Sequence, residues 1–192
     1  MDVWLISLES SGVSILSPDE ELRAARFHFD TDRDRWIRAR SSLRFILATY
    51  AGIPARDIRF VLGSHGKPAL ANDRTVEFSL SHSGSWAMVA ITRNVPVGID
   101  IERIRENVNI AALLRRLGEK SLPETQAGLF SAWARREAMT KAVGAALLEA
   151  PVGDLRVCDL DAPAGYSSAL ALVGIDPRVR RHNDLVLPSG TA

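Results

Sequence analysis

The chain has 192 residues, 46% of them hydrophobic and 24% charged, a balance that excludes a disordered or collagen-like chain and suits one globular domain or two small ones. Its 24 Lys and Arg stand against 23 Asp and Glu, so a net charge of +1 supplies no whole-chain field for nucleic acid or an anionic membrane. A single cysteine, Cys158, excludes an internal disulfide and a Cys-rich zinc site and suits a reducing cytoplasm; Met1 to Leu8 lack a basic signal start, and no apolar run approaches the ~20 residues of a membrane span.

Val3-Trp4-Leu5-Ile6-Ser7-Leu8 reads as a first strand, closed by Ser10-Ser11-Gly12. Ser17-Pro18-Asp19-Glu20 starts a helix, with a capping serine, a proline in the first turn and acidic residues behind it. A second helix runs from about Thr31 to Tyr50, with Trp36, Ala39, Leu43, Ile46 and Leu47 on one face, and Gly52 and Pro54 end it. Ile58 to Leu62, Glu77 to Ser81, Ala87 to Thr92 and Val97 to Glu102 read as short strands, with a hairpin turn near Thr92-Arg93-Asn94. Ile110 to Leu117 and Gln126 to Val143 read as helices ended by Gly118 and Gly144, and Val152 to Cys158 and Ser168 to Val173 as late strands. Helices mixed with hairpins predict an α+β architecture. The stretch from Asp176 to Ala192, with its Leu185 to Leu187 run, carries no assignment, and Arg178-Val179-Arg180-Arg181 reads as a solubilising tail.

Asp100 and Glu102 lie two apart in a strand, so both carboxylates project from one face. Such a pair repels itself unless a cation intervenes, and hard oxygens suit Mg²⁺; a solvated strand face is the plainer alternative. Gly98, beside them, leaves room for a ligand or another backbone. Trp133, Glu137 and Lys141 form one stripe of the long helix, which an ordinary surface ion pair would also explain. Gly66-Lys67-Pro68 pins a lysine in a loop, and Ser81-His82-Ser83-Gly84 offers hydroxyls and an imidazole to a phosphate; a serine-hydrolase triad is disfavoured because Ser81 and His82 point apart on a strand end and no G-x-S-x-G elbow is present. Between Arg23 and Arg44, seven arginines face three aspartates, a local balance of +4 that suits phosphate groups or a mixed-charge solvated helix. Cys158 reads as a small core residue.

The order of these motifs resembles the 4′-phosphopantetheinyl transferases of the surfactin-synthetase-activating type. The resemblance runs from Leu16-Ser17-Pro18-Asp19-Glu20 through Arg40, Leu43-Arg44, Gly66-Lys67-Pro68 and Phe78-Ser79-Leu80-Ser81-His82-Ser83. It continues in Val97-Gly98-Ile99-Asp100-Ile101-Glu102 and closes with Trp133-Ala134-Arg135-Arg136-Glu137-Ala138-Met139-Thr140-Lys141. It implies a pseudo-twofold pair of similar halves, residues 1–96 and 97–192, with the active site in the cleft between them. It further implies a monomeric, cytoplasmic enzyme with coenzyme A as donor and a serine of an apo acyl- or peptidyl-carrier protein as acceptor. Asp100, Glu102 and Glu137 match the family's Mg²⁺ ligands, and Lys67, Ser81 and His82 its coenzyme A contacts, with Arg23, Arg40 and Arg44 as looser matches. Glu137, directly or through a metal-bound water, is the implied base, and Lys141 the cation that offsets charge on the phosphates. The chain departs from the family in Arg136, where many members have lysine, and in Gly144-Ala145-Ala146 in place of Gly-x-Gly. A coenzyme A-binding relative without transfer activity and a Mg²⁺-dependent phosphohydrolase are the alternatives.

Overall fold

The computed structural model describes residues 1–9, 12–63, 66–145 and 153–183. Within them the chain is a mixed α+β protein, as the interleaved signals implied. Strands β1 (Asp2–Ser7), β4 (Val76–Ser83) and β5 (Trp86–Arg93) form an antiparallel sheet in the order β4-β5-β1, while β2 (Phe60–Leu62) and β3 (Pro68–Leu70) make a small separate ribbon. Helix α1 (Pro18–Ala24) is short; α2 (Asp30–Ala51) is long because its apolar residues recur at helical spacing. Ala39, Leu43, Ile46 and Leu47 of α2 bury themselves against Phe78, Val89 and Ile91 of the sheet. Gly52, at φ +67°, ends α2 in the left-handed conformation that a side chain disfavours.

The remaining strands and helices follow in a second part of the chain. β6 (Val97–Arg103), β7 (Leu155–Leu160) and β8 (Tyr166–Val173) form an antiparallel sheet in the order β6-β8-β7. Helix α4 (Gln126–Val143), capped by the Thr125 side chain on the Gly128 N–H, lies on this sheet through Ala134, Ala138 and Ala142 against Ala169 and Ala171. Helix α3 (Ile110–Arg116) packs Ile110 and Leu114 onto Phe130 and Trp133 of α4. Small residues let the helix backbone approach the sheet closely, and Gly98 completes the fit: a Cβ there would stand 1.9 Å from the Ala138 carbonyl oxygen. The room at Gly98 is therefore filled by α4. Val97, Ile99 and Ile101 face the other way and share a core with Val3, Met88 and Ala90, so the two parts are joined by common apolar packing.

Two local readings are corrected. A turn does follow Arg93, with Asn94 at φ +56°, yet it joins strands of different sheets; the β4–β5 hairpin turns instead at Gly84, φ +55°. Arg180 and Arg181 are no loose tail. β9 (Arg180–His182) pairs in parallel with β1, Arg181 reaches Asp161 at 2.7 Å, and Arg180 and His182 both meet the buried Asp2 carboxylate, His182 at 2.8 Å. The His182 ring stacks on Trp4 at 4.1 Å. The Leu185 to Leu187 run lies outside the described residues, as do Ala146 and Val152. No helix among the described residues is long and apolar enough to cross a membrane.

The contacts of β9 with Asp2 make stability depend on pH. The hydrogen bond from Arg180 holds the Asp2 carboxyl far below the usual carboxylate range against the opposing effect of burial, with His182 and Tyr50 helping. A depressed pKa stabilises the fold above the unfolded-state value, near pH 4, and that contribution fades as pH falls toward the folded-state value. Asp2→Asn should therefore cost about 1 kcal/mol at pH 7, where Asp2 is ionised, and progressively less below about pH 4. Urea melts of both proteins across that range check it; a stability difference independent of pH would refute it.

Candidate active site

Gly98, Asp100 and Glu102 share the face of β6 turned toward α4, and one turn of α4 apart lie Trp133, Glu137 and Lys141. Lys141 does not serve as the surface partner of Glu137. Its Nζ donates to Asp100 Oδ1 at 2.7 Å, to Ser81 Oγ at 3.1 Å and to the Ile99 carbonyl at 3.3 Å. Asp100 is 2% exposed; Oδ1 also accepts from Ser81 Oγ at 2.7 Å, whereas Oδ2 is buried without a hydrogen-bond partner. Such an oxygen is costly unless something positive meets it.

Glu102 accepts from Ser83 Oγ at 3.0 Å and from Trp133 Nε1 at 3.4 Å. Burial pushes its carboxyl above the usual range and the Asp100 charge adds to that, partly offset by the two hydrogen bonds. Burial also raises Glu137; Lys141 pulls it back, while Asp100 and Glu102 push it further up. Burial first, and neighbouring negative charge second, thus disfavour the ionised form of Glu102 and Glu137, the electrostatic condition that a bound cation relieves. Among the described residues, no three His, Cys, Asp or Glu side chains meet as a ready-made metal cluster. The donor chemistry still fits a hard cation: three carboxylates, one of which, Asp100, has an orphaned oxygen.

A cavity of about 330 Å³ opens beside these groups between the two parts of the molecule, lined by Lys67, Pro68, Phe78, Leu80, Glu137 and Lys141. Lys67 donates to the Val97 carbonyl at 3.0 Å, and burial lowers its pKa. His82 points away from Ser81, as alternation requires, with an exposed ring. Desolvation lowers its pKa, and the positive charges of Lys141 and then Arg23 lower it further. Arg23 is exposed, with its guanidinium 5.4 Å from the Trp36 ring centroid.

The other arginines are engaged elsewhere. Arg44 is 2% exposed and bonds Glu20 Oε2 at 2.7 Å and the carbonyls of Ala55 and Ile58 at 3.2 and 2.8 Å, so it pins α1 to α2 and presents no surface to a ligand. Arg40 pairs with Glu20 and lies 3.8 Å from the Phe60 ring centroid. Sequence reading missed Glu20 as the anchor of both. The signal was the S-x-x-E pattern, for Glu20 Oε2 accepts from the Ser17 N–H at 2.8 Å. It offered the Ser83 hydroxyl to a phosphate and gave Ser79 no role, although serines at every second position of one strand mark a row on one face.

The family model described as 4′-phosphopantetheinyl transferase, N-terminal, matches residues 8–94. The 4′-phosphopantetheinyl transferase HetI of Nostoc sp. is 37% identical over 142 residues, covering 67% of this chain and 60% of that protein. The chain belongs to the 4′-phosphopantetheinyl transferase superfamily. Two other superfamily members are psf-1 of Bacillus pumilus, 30% identical over 67% of this chain and 58% of that protein, and Sfp of Bacillus subtilis, 30% identical over 48% and 41%. The chain therefore spans about 60% or less of the length of these relatives. In superfamily terms, the matched model ends before β6, so Asp100, Glu102, Glu137 and Lys141 all lie beyond it.

Proposed function

We propose that this protein transfers the 4′-phosphopantetheine arm of coenzyme A to a serine hydroxyl of an acyl- or peptidyl-carrier protein, with adenosine 3′,5′-bisphosphate as the second product. The observation that carries the reading is the buried, unpartnered Asp100 Oδ2 beside Glu102, Glu137 and Lys141, at the edge of a cavity that Lys67 also lines. Acids and cations are concentrated together there, as a magnesium pyrophosphate requires. Membership of the superfamily supports the same conclusion.

Asp100, Glu102 and Glu137 would hold Mg²⁺, which when bound supplies positive charge against the pyrophosphate. Lys141 and Lys67 add fixed cations, and His82 with Arg23 offers donors to a further phosphate. Glu137 would accept the proton of the attacking serine, through an intervening water while it holds the cation or directly if its carboxylate is free, as the hydroxyl oxygen bonds to the β-phosphorus. The bond from that phosphorus to the bridging oxygen breaks, and the bisphosphate leaves. Arg115 and Arg116 are exposed on α3, where they give a basic rim suited to an acidic carrier helix.

We also read the molecule as a pseudo-twofold pair divided near Pro96. What supports this is the matching order β4-β5-β1 and β7-β8-β6, each with a long helix ended by a left-handed glycine. Intact-mass analysis of apo carrier domains incubated with the protein, coenzyme A and Mg²⁺ tests the function. Addition of one phosphopantetheine supports transfer; free phosphopantetheine would indicate a phosphohydrolase, and no product a coenzyme A-binding relative.

A further inference from the structure

The seam between β4 and β6 leaves one strand edge without a backbone ladder. β6 pairs with β8 along one side, and along the other its N–H groups turn to serines of β4: Ile99 to Ser79 Oγ and Arg103 to Ser83 Oγ, both at 3.1 Å. Its carbonyls take lysines, Val97 from Lys67 and Ile99 from Lys141. Ser79, Ser81 and Ser83 alternate along β4, so all three face β6, and their small side chains let the strands approach.

Ser83 does more than Ser79. While accepting from the Arg103 N–H, its hydroxyl donates to Glu102 Oε2 at 3.0 Å, so one oxygen fixes both the carboxylate and the strand end that carries it. The turn that follows is held in its place by Tyr166, whose hydroxyl accepts from the Ser85 N–H at 3.1 Å. Gly84 packs so tightly there that a Cβ would lie 2.5 Å from that hydroxyl oxygen. Tyr166 stands opposite Arg103 in the β6–β8 ladder, so it binds the turn to the same strand end.

We propose that Ser83, backed by Tyr166, is a positioning residue that holds the Glu102 carboxylate ready for the divalent cation. The proposal rests on reading Asp100, Glu102 and Glu137 as the ligand set. A half-buried glutamate has three side-chain torsions to order when it binds a metal, and a partner that orders it beforehand strengthens binding. Hydrogen-bond partners of ligating groups are commonly worth ~10- to 100-fold in metal affinity.

The test is equilibrium binding of Mn²⁺, read by electron paramagnetic resonance with coenzyme A present and no carrier, alongside thermal melts. Ser83→Ala should bind Mn²⁺ about tenfold more weakly, and Ser83→Thr, which keeps the hydroxyl, should return close to wild type. Tyr166→Phe should weaken binding roughly fivefold, because the loss of one hydrogen bond loosens the turn. Ser79→Ala removes the same kind of N–H bond from the same edge, so it should lower the melting temperature comparably yet leave Mn²⁺ affinity near wild type. Equal weakening in Ser79→Ala and Ser83→Ala would reduce the effect to seam stability and overturn the proposal. If Ser83→Ala does not fold, Tyr166→Phe decides, and an unchanged affinity there overturns it. Binding lost in Asp100→Asn but kept in Ser83→Ala overturns the positioning role alone; binding kept in both overturns the ligand set and the positioning role with it.

Discussion

Asp100→Ala is expected to cut phosphopantetheine transfer about a thousandfold or more while leaving the melting temperature within about 3 °C of wild type. The loss of rate follows from removing the carboxylate that is most buried and that keeps one oxygen free of protein partners. The small effect on stability follows from what remains. Lys141 keeps Ser81 Oγ and the Ile99 carbonyl, its side chain is 29% exposed so that water reaches the unpaired charge, and Glu102 and Glu137 lose a repelling neighbour. Glu102→Ala and Glu137→Ala should each be comparably damaging, and the three effects should be strongly non-additive because they act on one ion. Single-turnover rates over a Mg²⁺ series, with circular dichroism melts, measure both quantities. Wild-type rates in any two of the three variants would remove the metal assignment.

Gly98→Ala should do the opposite, harming the fold first. An added Cβ would meet the Ala138 carbonyl oxygen at 1.9 Å and the Ala142 nitrogen at 2.5 Å, both backbone atoms of α4, so no side chain can rotate away to make room. The helix must lift from the sheet, opening the alanine layer and carrying Glu137 and Lys141 away from Asp100. A loss of about 3 kcal/mol or more is expected, a fall of roughly 10 °C in melting temperature for a chain of this size. Gly52→Ala is the comparator. No atom lies within 4 Å of its added Cβ, so only the left-handed backbone at φ +67° is strained, at a cost of about 1 kcal/mol. Melts of the two variants side by side check the argument, and equal losses would refute it.

The elements that packing forces to be amphipathic were legible in the sequence. The bounds of α4 were read as found, and those of α2 to within a residue at each end, because the apolar spacing of α2 and the glycine that ends each helix are local signals. β9 was not legible: Arg180-Arg181-His182 has no strand pattern of its own and becomes a strand through its ladder with β1. β4 was read as ending at Ser81, because polar residues at 82 and 83 look like a turn when their partner strand is unknown.

At the site the same division holds. Chain order alone singled out Asp100, Glu102, Glu137, Lys141, Lys67, Ser81 and His82, since residue type and spacing carry chemistry wherever the chain folds. Which partner each group takes was decided only by tertiary structure. Lys141 goes to Asp100 across 41 positions of sequence, where helical spacing had offered Glu137 four residues away, and Arg44 leaves the phosphate-binding candidates because Glu20, Ala55 and Ile58 enclose it. Long-range pairing depends on distance and burial in the folded chain, and neither is a property of a residue's neighbours in sequence. The sequence determined the family, the helices and the cast of charged groups; the packing of α4 on Gly98 and of β6 on the β4 serines decided their geometry.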